Sequence, residues 1–249
     1  MLAGLAVPAV ALTVGWRWAF VGASGLAVLA AIATPRSMTT IRLEQRTERQ
    51  STATPAMLQL AVGVGFAAGS VSLLSSFLVD SADEIGISNA TADWLVVIGS
   101  ILGLTTLVAS GLRADRRGGR HLVVVARMLA VGAALFILLA LNVTAVFVIV
   151  APLAYSAAWG WNGVFHFAVV TANQDAPGTA TGIVQTGALT GSLSMVIVGG
   201  LIAHDHSCVA VWILAAACSF LGAAIILLGR RTIVLSTSRA RQAALGATS

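Results

Sequence analysis

The sequence predicts an all-α fold, a polytopic transmembrane helical bundle. Composition points there first: hydrophobic residues make up 58% of the 249-residue chain, charged residues only 9%, and the mean hydropathy is +0.94. Soluble domains carry roughly 25% charged residues, and a chain of this size cannot hide so much apolar surface in a single core. The second observation is a series of apolar runs near the ~20 residues that cross a ~30 Å hydrocarbon core. The third is that arginines cluster beside the ends of those runs.

The elements follow in chain order. Leu2–Val14 is apolar but too short to cross unaided, and Trp18–Thr34 is the first near-complete span. Residues 35–56 carry Arg36, Arg42, Arg46 and Arg49 and read as a basic central loop, in which Ile41 and Leu43 would permit a short surface helix. Met57–Val79 is the next span, and the loop after it is acidic, with Asp80, Asp83, Glu84 and then Asp93. Trp94–Leu112 leads into a basic loop from Arg113 to Arg120. Leu122–Leu141 and Thr144–Val170 are joined by a minimal turn at Asn142. Thr181–Ala203 follows a loop at Asn173-Gln174-Asp175 that lacks arginine, and Val209–Gly229 follows the polar turn His204-Asp205-His206. The tail from Arg230 is basic and, beyond Leu235, without hydrophobic period, so it is expected to lack fixed structure. Placing the basic loops in the cytoplasm leaves only Arg17 of the 14 arginines outside, as the positive-inside rule demands.

Several functions are excluded by the same residues. The net charge of +5 is not a nucleic-acid signature, because the arginines sit at the ends of apolar runs. Cys208 and Cys218 make neither a disulfide framework nor a metal site. His204-Asp205-His206-x-Cys208 places its ligand types too close together for tetrahedral geometry, so no metal is expected. Phosphate-cradling loops, His-Glu-x-x-His and nucleophile-elbow motifs are missing, so neither a cofactor nor an enzymatic activity is predicted.

The most informative span is Thr144–Val170. Tyr155, Trp159, Asn162 and His166 are spaced four, three and four residues apart and fall on one stripe of a helix. Asn and His facing lipid would leave polar groups unpaired in hydrocarbon, at several kcal/mol each, so this stripe faces protein or a wet cavity. Two readings stay open: a solute-binding surface, with the aromatics giving apolar contact and Asn162 orienting a polar group, or hydrogen-bonded contact between helices. Trp161 lies off the stripe and reads as packing. His166 is also the local candidate for coupling to a proton, and Pro152 should kink the helix. In Met57–Val79, Gln59, Gly63, Phe66, Ser70 and Phe77 share a stripe, from which Gln59, Phe66 and Ser70 are further candidates for solute contact. Gln185 aligns with Ser192, and Gly187-x-x-x-Gly191 is a small-residue packing motif expected to bring two halves of the molecule together.

Gly111-Leu112-Arg113-Ala114-Asp115-Arg116-Arg117-Gly118-Gly119-Arg120 resembles the loop signature of the major facilitator superfamily, with Arg113 and Gly119 departing from its usual pattern. Gly15-Trp16-Arg17-Trp18-Ala19-Phe20 is similar to that family's external turn between spans five and six, and Ala176 to Gly187 looks like its entry to span eleven. The resemblance implies a fold lacking the first four of twelve spans. Residues 1–34 would be the remnant of the N-terminal half, 35–56 the cytoplasmic central loop, 57–229 the C-terminal six-span half, and 230–249 a cytoplasmic tail. It implies that Asp115, with Arg116 and Arg120, holds an inward gate, while Gly111 and Gly118 allow a tight turn. It further implies secondary transport of a small solute across the lipid bilayer by alternating access, with a proton or other ion as coupling partner and no nucleic acid. Gly160-Trp161-Asn162-Gly163 and Gln185-Thr186-Gly187 look loosely like the cyanate-permease branch. The alternative expectation is a truncated or degenerate member of the fold without transport activity.

Overall fold

The computed structural model describes residues 55–116, 120–174, 176–205 and 207–246, together with positions 21, 22, 24, 25, 28 and 29. The side chains of Asp115, Arg116, Asp205 and residues 234–246 are outside that description. The expected spans Leu2–Val14 and Trp18–Thr34 and the basic loop after them therefore lie outside the described residues, apart from the helical positions named between 21 and 29. Residues 52–249 form one compact unit.

That unit contains helices α1 (Pro55–Glu84), α2 (Asn89–Arg116), α3 (His121–Leu139), α4 (Thr144–Ala172), α5 (Pro177–Asp205) and α6 (Cys208–Gly246). Each is long and apolar enough to cross a membrane, and no strand occurs among the described residues. Prolines 55 and 177 open α1 and α5, where a missing N–H has no helical partner to lose. Ser88 Oγ accepts the Thr91 N–H at 3.3 Å and caps α2. The two tightest turns use left-handed residues: Gly86 at φ 76° between α1 and α2, and Asn142 at φ 57° between α3 and α4.

Helices α1, α2, α5 and α6 run several residues past the expected spans, since helix propensity does not stop where hydropathy does. By contrast, α4 gains only two residues, and α3 ends at Leu139, two short of the expected Leu141. The clearest departure is α6, which continues through Gly246 where a structureless tail was expected. The physical reason lies in Arg239-Ala240-Arg241-Gln242-Ala243-Ala244-Leu245, which is built almost wholly of strong helix formers.

Packing follows a simple scheme. α1 lies against α5 and α6, α4 lies against α2 and α3, and α3 joins α6. Exchanging α1 with α4, α2 with α5 and α3 with α6 maps this scheme onto itself. Three crossings reverse the chain's direction, so the second triplet is the first one inverted in the membrane. Contacts at the helix ends agree with that arrangement. Asn173 at the end of α4 donates to Met57 Sδ near the start of α1 (3.5 Å), and Thr232 donates to Gln59 Oε1 at 2.9 Å on the same side. On the opposite side the Glu84 carboxylate accepts the Cys208 N–H at 3.1 and 3.3 Å, capping α6 with a negative charge. Trp212 is fully buried there; its Nε1 donates to Ser81 Oγ at 2.8 Å, and its ring stacks on Phe136 and meets Phe147 edge-on.

The closest approach is between α1 and α5. A Cβ on Gly65 would lie 2.8 Å from the Gly187 carbonyl oxygen, and Cβ atoms on Gly187 and Gly191 would collide with the backbones of Ala61 and Gly65. Gly187-x-x-x-Gly191 thus packs α5 on α1 inside this unit, correcting the expectation that it joins the two halves. Backbone contact of this kind needs residues without side chains. Gly191→Val should therefore destabilise the bundle by about 1–3 kcal/mol or more, read as a lower thermal midpoint in detergent. Gly200→Val should leave the midpoint unchanged, because nothing lies within 4 Å of a Cβ at that position.

Candidate functional site

In a bilayer a hydroxyl must find a protein partner or water. Most of those described find protein. Ser70 Oγ donates to the Ala67 carbonyl at 2.7 Å, and Ser219 Oγ to the Leu129 carbonyl of α3 at 2.8 Å. Ser110 Oγ reaches the Gly160 carbonyl of α4 at 2.8 Å, and Thr106 shares a hydrogen bond with Ser156 at 2.6 Å.

A different situation holds in a cavity of about 590 Å³ among α1, α4 and α5. Ser72, Ser75 and Ser76 line it from α1, and Gln185 and Ser192 from α5. Trp159, Trp161, Asn162 and His166 line it from α4. Ser72, Ser76, Gln185 and Ser192 make no hydrogen bond to any described residue, and Asn162 makes only a long one, Nδ2 to the Trp159 carbonyl at 3.4 Å. Trp161 is 1% exposed, and its Nε1 is the buried side-chain polar atom left without a partner among the described residues. The His166 ring rests edge-on against Phe165 at 5.7 Å, leaving its nitrogens free of protein acceptors among the described residues. Unpaired donors and amides from three helices thus border one apolar-walled space, where they are open to a solute or to water.

Trp159, Asn162 and His166 of the α4 stripe line the same cavity, and Gln185, a further candidate for solute contact, joins them there from α5. Tyr155 stands one step behind: it is buried against Gly99 of α2 and does not line the cavity. The α1 candidates lie elsewhere. Gln59 faces α6 through Thr232, Ser70 is closed onto its own helix, and Phe66 lines a separate groove between α1 and α5. At about 100° per residue, the Gln59–Gly63–Ser70 stripe is roughly opposite the Ser72–Ser75–Ser76 face. Gly63 shows why: a Cβ there would be 2.8 Å from Ile226, so that stripe is the seat of α6. Trp161 packs in the core, as its place off the stripe suggested, and also borders the cavity, with its Nε1 unpartnered among the described residues. The adjacent serines of α1 were its available signal in the sequence.

A profile of the Major Facilitator Superfamily matches residues 60–247. The chain belongs to the Major Facilitator Superfamily. Members are membrane transporters rather than enzymes, and an all-α bundle of apolar helices that binds small solutes within a lipid bilayer is what the superfamily carries. No match was found among curated proteins or among solved structures.

At the superfamily-like loop, Gly111 sits inside α2 and not in a turn, since the helix runs on to Arg116. A Cβ on Gly111 would meet nothing within 4 Å, so the tight turn and close approach expected of it are absent among the described residues. Arg120 is exposed and immediately precedes α3. Gly118 and the side chains of Asp115 and Arg116 lie outside the described residues.

Water access distinguishes the two serine faces of α1. In a background carrying Cys208→Ala and Cys218→Ala, Ser76→Cys and Ser192→Cys should react with a charged methanethiosulfonate reagent. Ser70→Cys, at a position 1% exposed, should stay unlabelled.

Proposed function

We propose that the chain moves a small solute across the cytoplasmic membrane by alternating access, with the solute held among α1, α4 and α5. The observation that carries this reading is the convergence of unpaired polar side chains from three helices on one cavity within the membrane span. Asn162 and Gln185 can each donate and accept, the serine hydroxyls adapt to either role, and Trp159 supplies an apolar face. Among the described residues no carboxylate lines the cavity, and His166 is the titratable side chain there. That lining favours an uncharged or anionic solute rich in hydrogen-bond acceptors over a cation, and small anions of the kind the cyanate-permease likeness suggests belong to this class. A volume of about 590 Å³ suits a modest organic molecule.

In this reading α1–α6 are the C-terminal six spans of a twelve-span design. The ends bearing Arg113, Arg120 and Arg230 face the cytoplasm, and the loop between α2 and α3 contributes to the inward gate through Asp115, Arg116 and Arg120. His166 is the local group through which a proton could be coupled.

The test is solute counterflow in liposomes holding the purified full chain, screened first with small organic acids and their amides. Asn162→Leu is expected to lower counterflow about tenfold or more, as loss of one hydrogen bond to a charged or strongly polar solute would. If His166 couples transport to protons, His166→Gln flattens the pH dependence of uptake between about pH 5 and 8. Absence of counterflow with every solute class would instead support a member of the fold without transport activity.

A further inference from the structure

α2 and α3 follow each other in sequence yet barely touch, because both pack on α4. The space between them is a groove of about 640 Å³ with Val164 of α4 at its floor. Its α2 wall runs from Thr105 to Arg113, a rise of about 12 Å, close to the ~15 Å depth of one leaflet's acyl region. The polar groups of that wall are already satisfied. Thr105 Oγ1 donates to the Ile101 carbonyl at 2.8 Å, Thr106 pairs with Ser156, and Ser110 reaches Gly160. What the groove offers along most of its length is therefore Ala109, Val124 and Met128.

One end is different. Arg113, Arg120 and His121 line it, and the exposed guanidinium groups of Arg113 and Arg120 have no hydrogen-bond or ion-pair partner among the described residues. The His121 ring is fixed edge-on to Phe167 at 5.1 Å. Residues 113–120 carry four arginines against Asp115, a net charge of +3 (4 − 1) from the sequence. Among the described residues no side chain caps the start of α3, so its positive dipole end faces the same place. The groove is thus cationic at the membrane surface and apolar below it. That is the complement of an amphiphile with an anionic head.

We propose that the α2–α3 groove binds an anionic diacyl phospholipid, its phosphate held by Arg113, Arg120 and His121 and one acyl chain lying along Ala109, Val124 and Met128. A basic recess between helices at the cytoplasmic surface recognises phosphate by the same electrostatics. The site is separate from the α1–α4–α5 cavity, so it stands whether or not that cavity carries a solute.

The experiment titrates the purified full chain in detergent with phosphatidylglycerol and, separately, phosphatidylcholine, reading bound lipid by native mass spectrometry. Phosphatidylglycerol is expected to bind more tightly, and the Arg113→Gln/Arg120→Gln variant to weaken it about thirtyfold at low salt. Ala109→Trp, at an exposed position in the groove, should weaken binding without altering the thermal midpoint, which keeps the test independent of any folding defect in the double variant. Glycerophosphoglycerol, the same head without chains, should fail to displace the lipid. The proposal is overturned if the two lipids bind equally or if neither variant matters. It is overturned equally if the chain-free head or inorganic phosphate competes as well as lipid, or if Arg230→Gln/Arg231→Gln weakens binding as much.

Discussion

A polar group in hydrocarbon must find a partner inside the protein or a pocket of water, and this constraint organises the whole molecule. It makes every span a helix, because only a helix satisfies its own backbone amides. It also sorts the side chains. Ser70, Thr105, Ser110 and Ser219 each close onto a carbonyl, and these positions serve packing. Ser72, Ser76, Ser192 and Gln185 do not, and they meet around one cavity.

The frame that holds this cavity open rests on two contrasting contacts. α1 and α5 touch backbone to backbone at Gly65, Gly187 and Gly191. α4 stands across from them, tied to α2 by Thr106–Ser156 and Ser110–Gly160 and stiffened by the edge-on pair Trp161–Phe165. The inverted pairing of the two triplets gives α1 and α4 equivalent places in the bundle. The two helices that supply most of the polar lining are therefore the two that the symmetry relates.

Much of this was legible in the sequence. Hydropathy gave the six described spans, and the Trp159–Asn162–His166 spacing marked the face of α4 that borders the cavity, since few other polar residues lie on that helix. α1 was harder. Its polar residues Gln59, Ser70, Ser72, Ser75 and Ser76 occupy different faces of a helix that is apolar nearly all round, so periodicity alone cannot rank them. Contact with α6 at Gly63 decides which face is seat and which is cavity, and that contact is set by tertiary packing. The same holds for Trp161, which packs in the core as its bulk suggests, while its unpartnered Nε1 beside the cavity shows only in the structure. Gly111 misled for the opposite reason: a motif glycine suggests a turn, while the residues after it keep helical geometry to Arg116.

The proposed transport function requires that the space among α1, α4 and α5 be a wet cavity bordered by polar side chains and not a packing interface. An experimental map of the full chain in lipid nanodiscs, at a resolution that shows ordered water, tests it most directly. The account predicts density for water or solute within hydrogen-bonding reach of Ser72, Asn162, Gln185 and Trp161 Nε1. A map in which these side chains close onto one another, with no volume left between the helices, would contradict it.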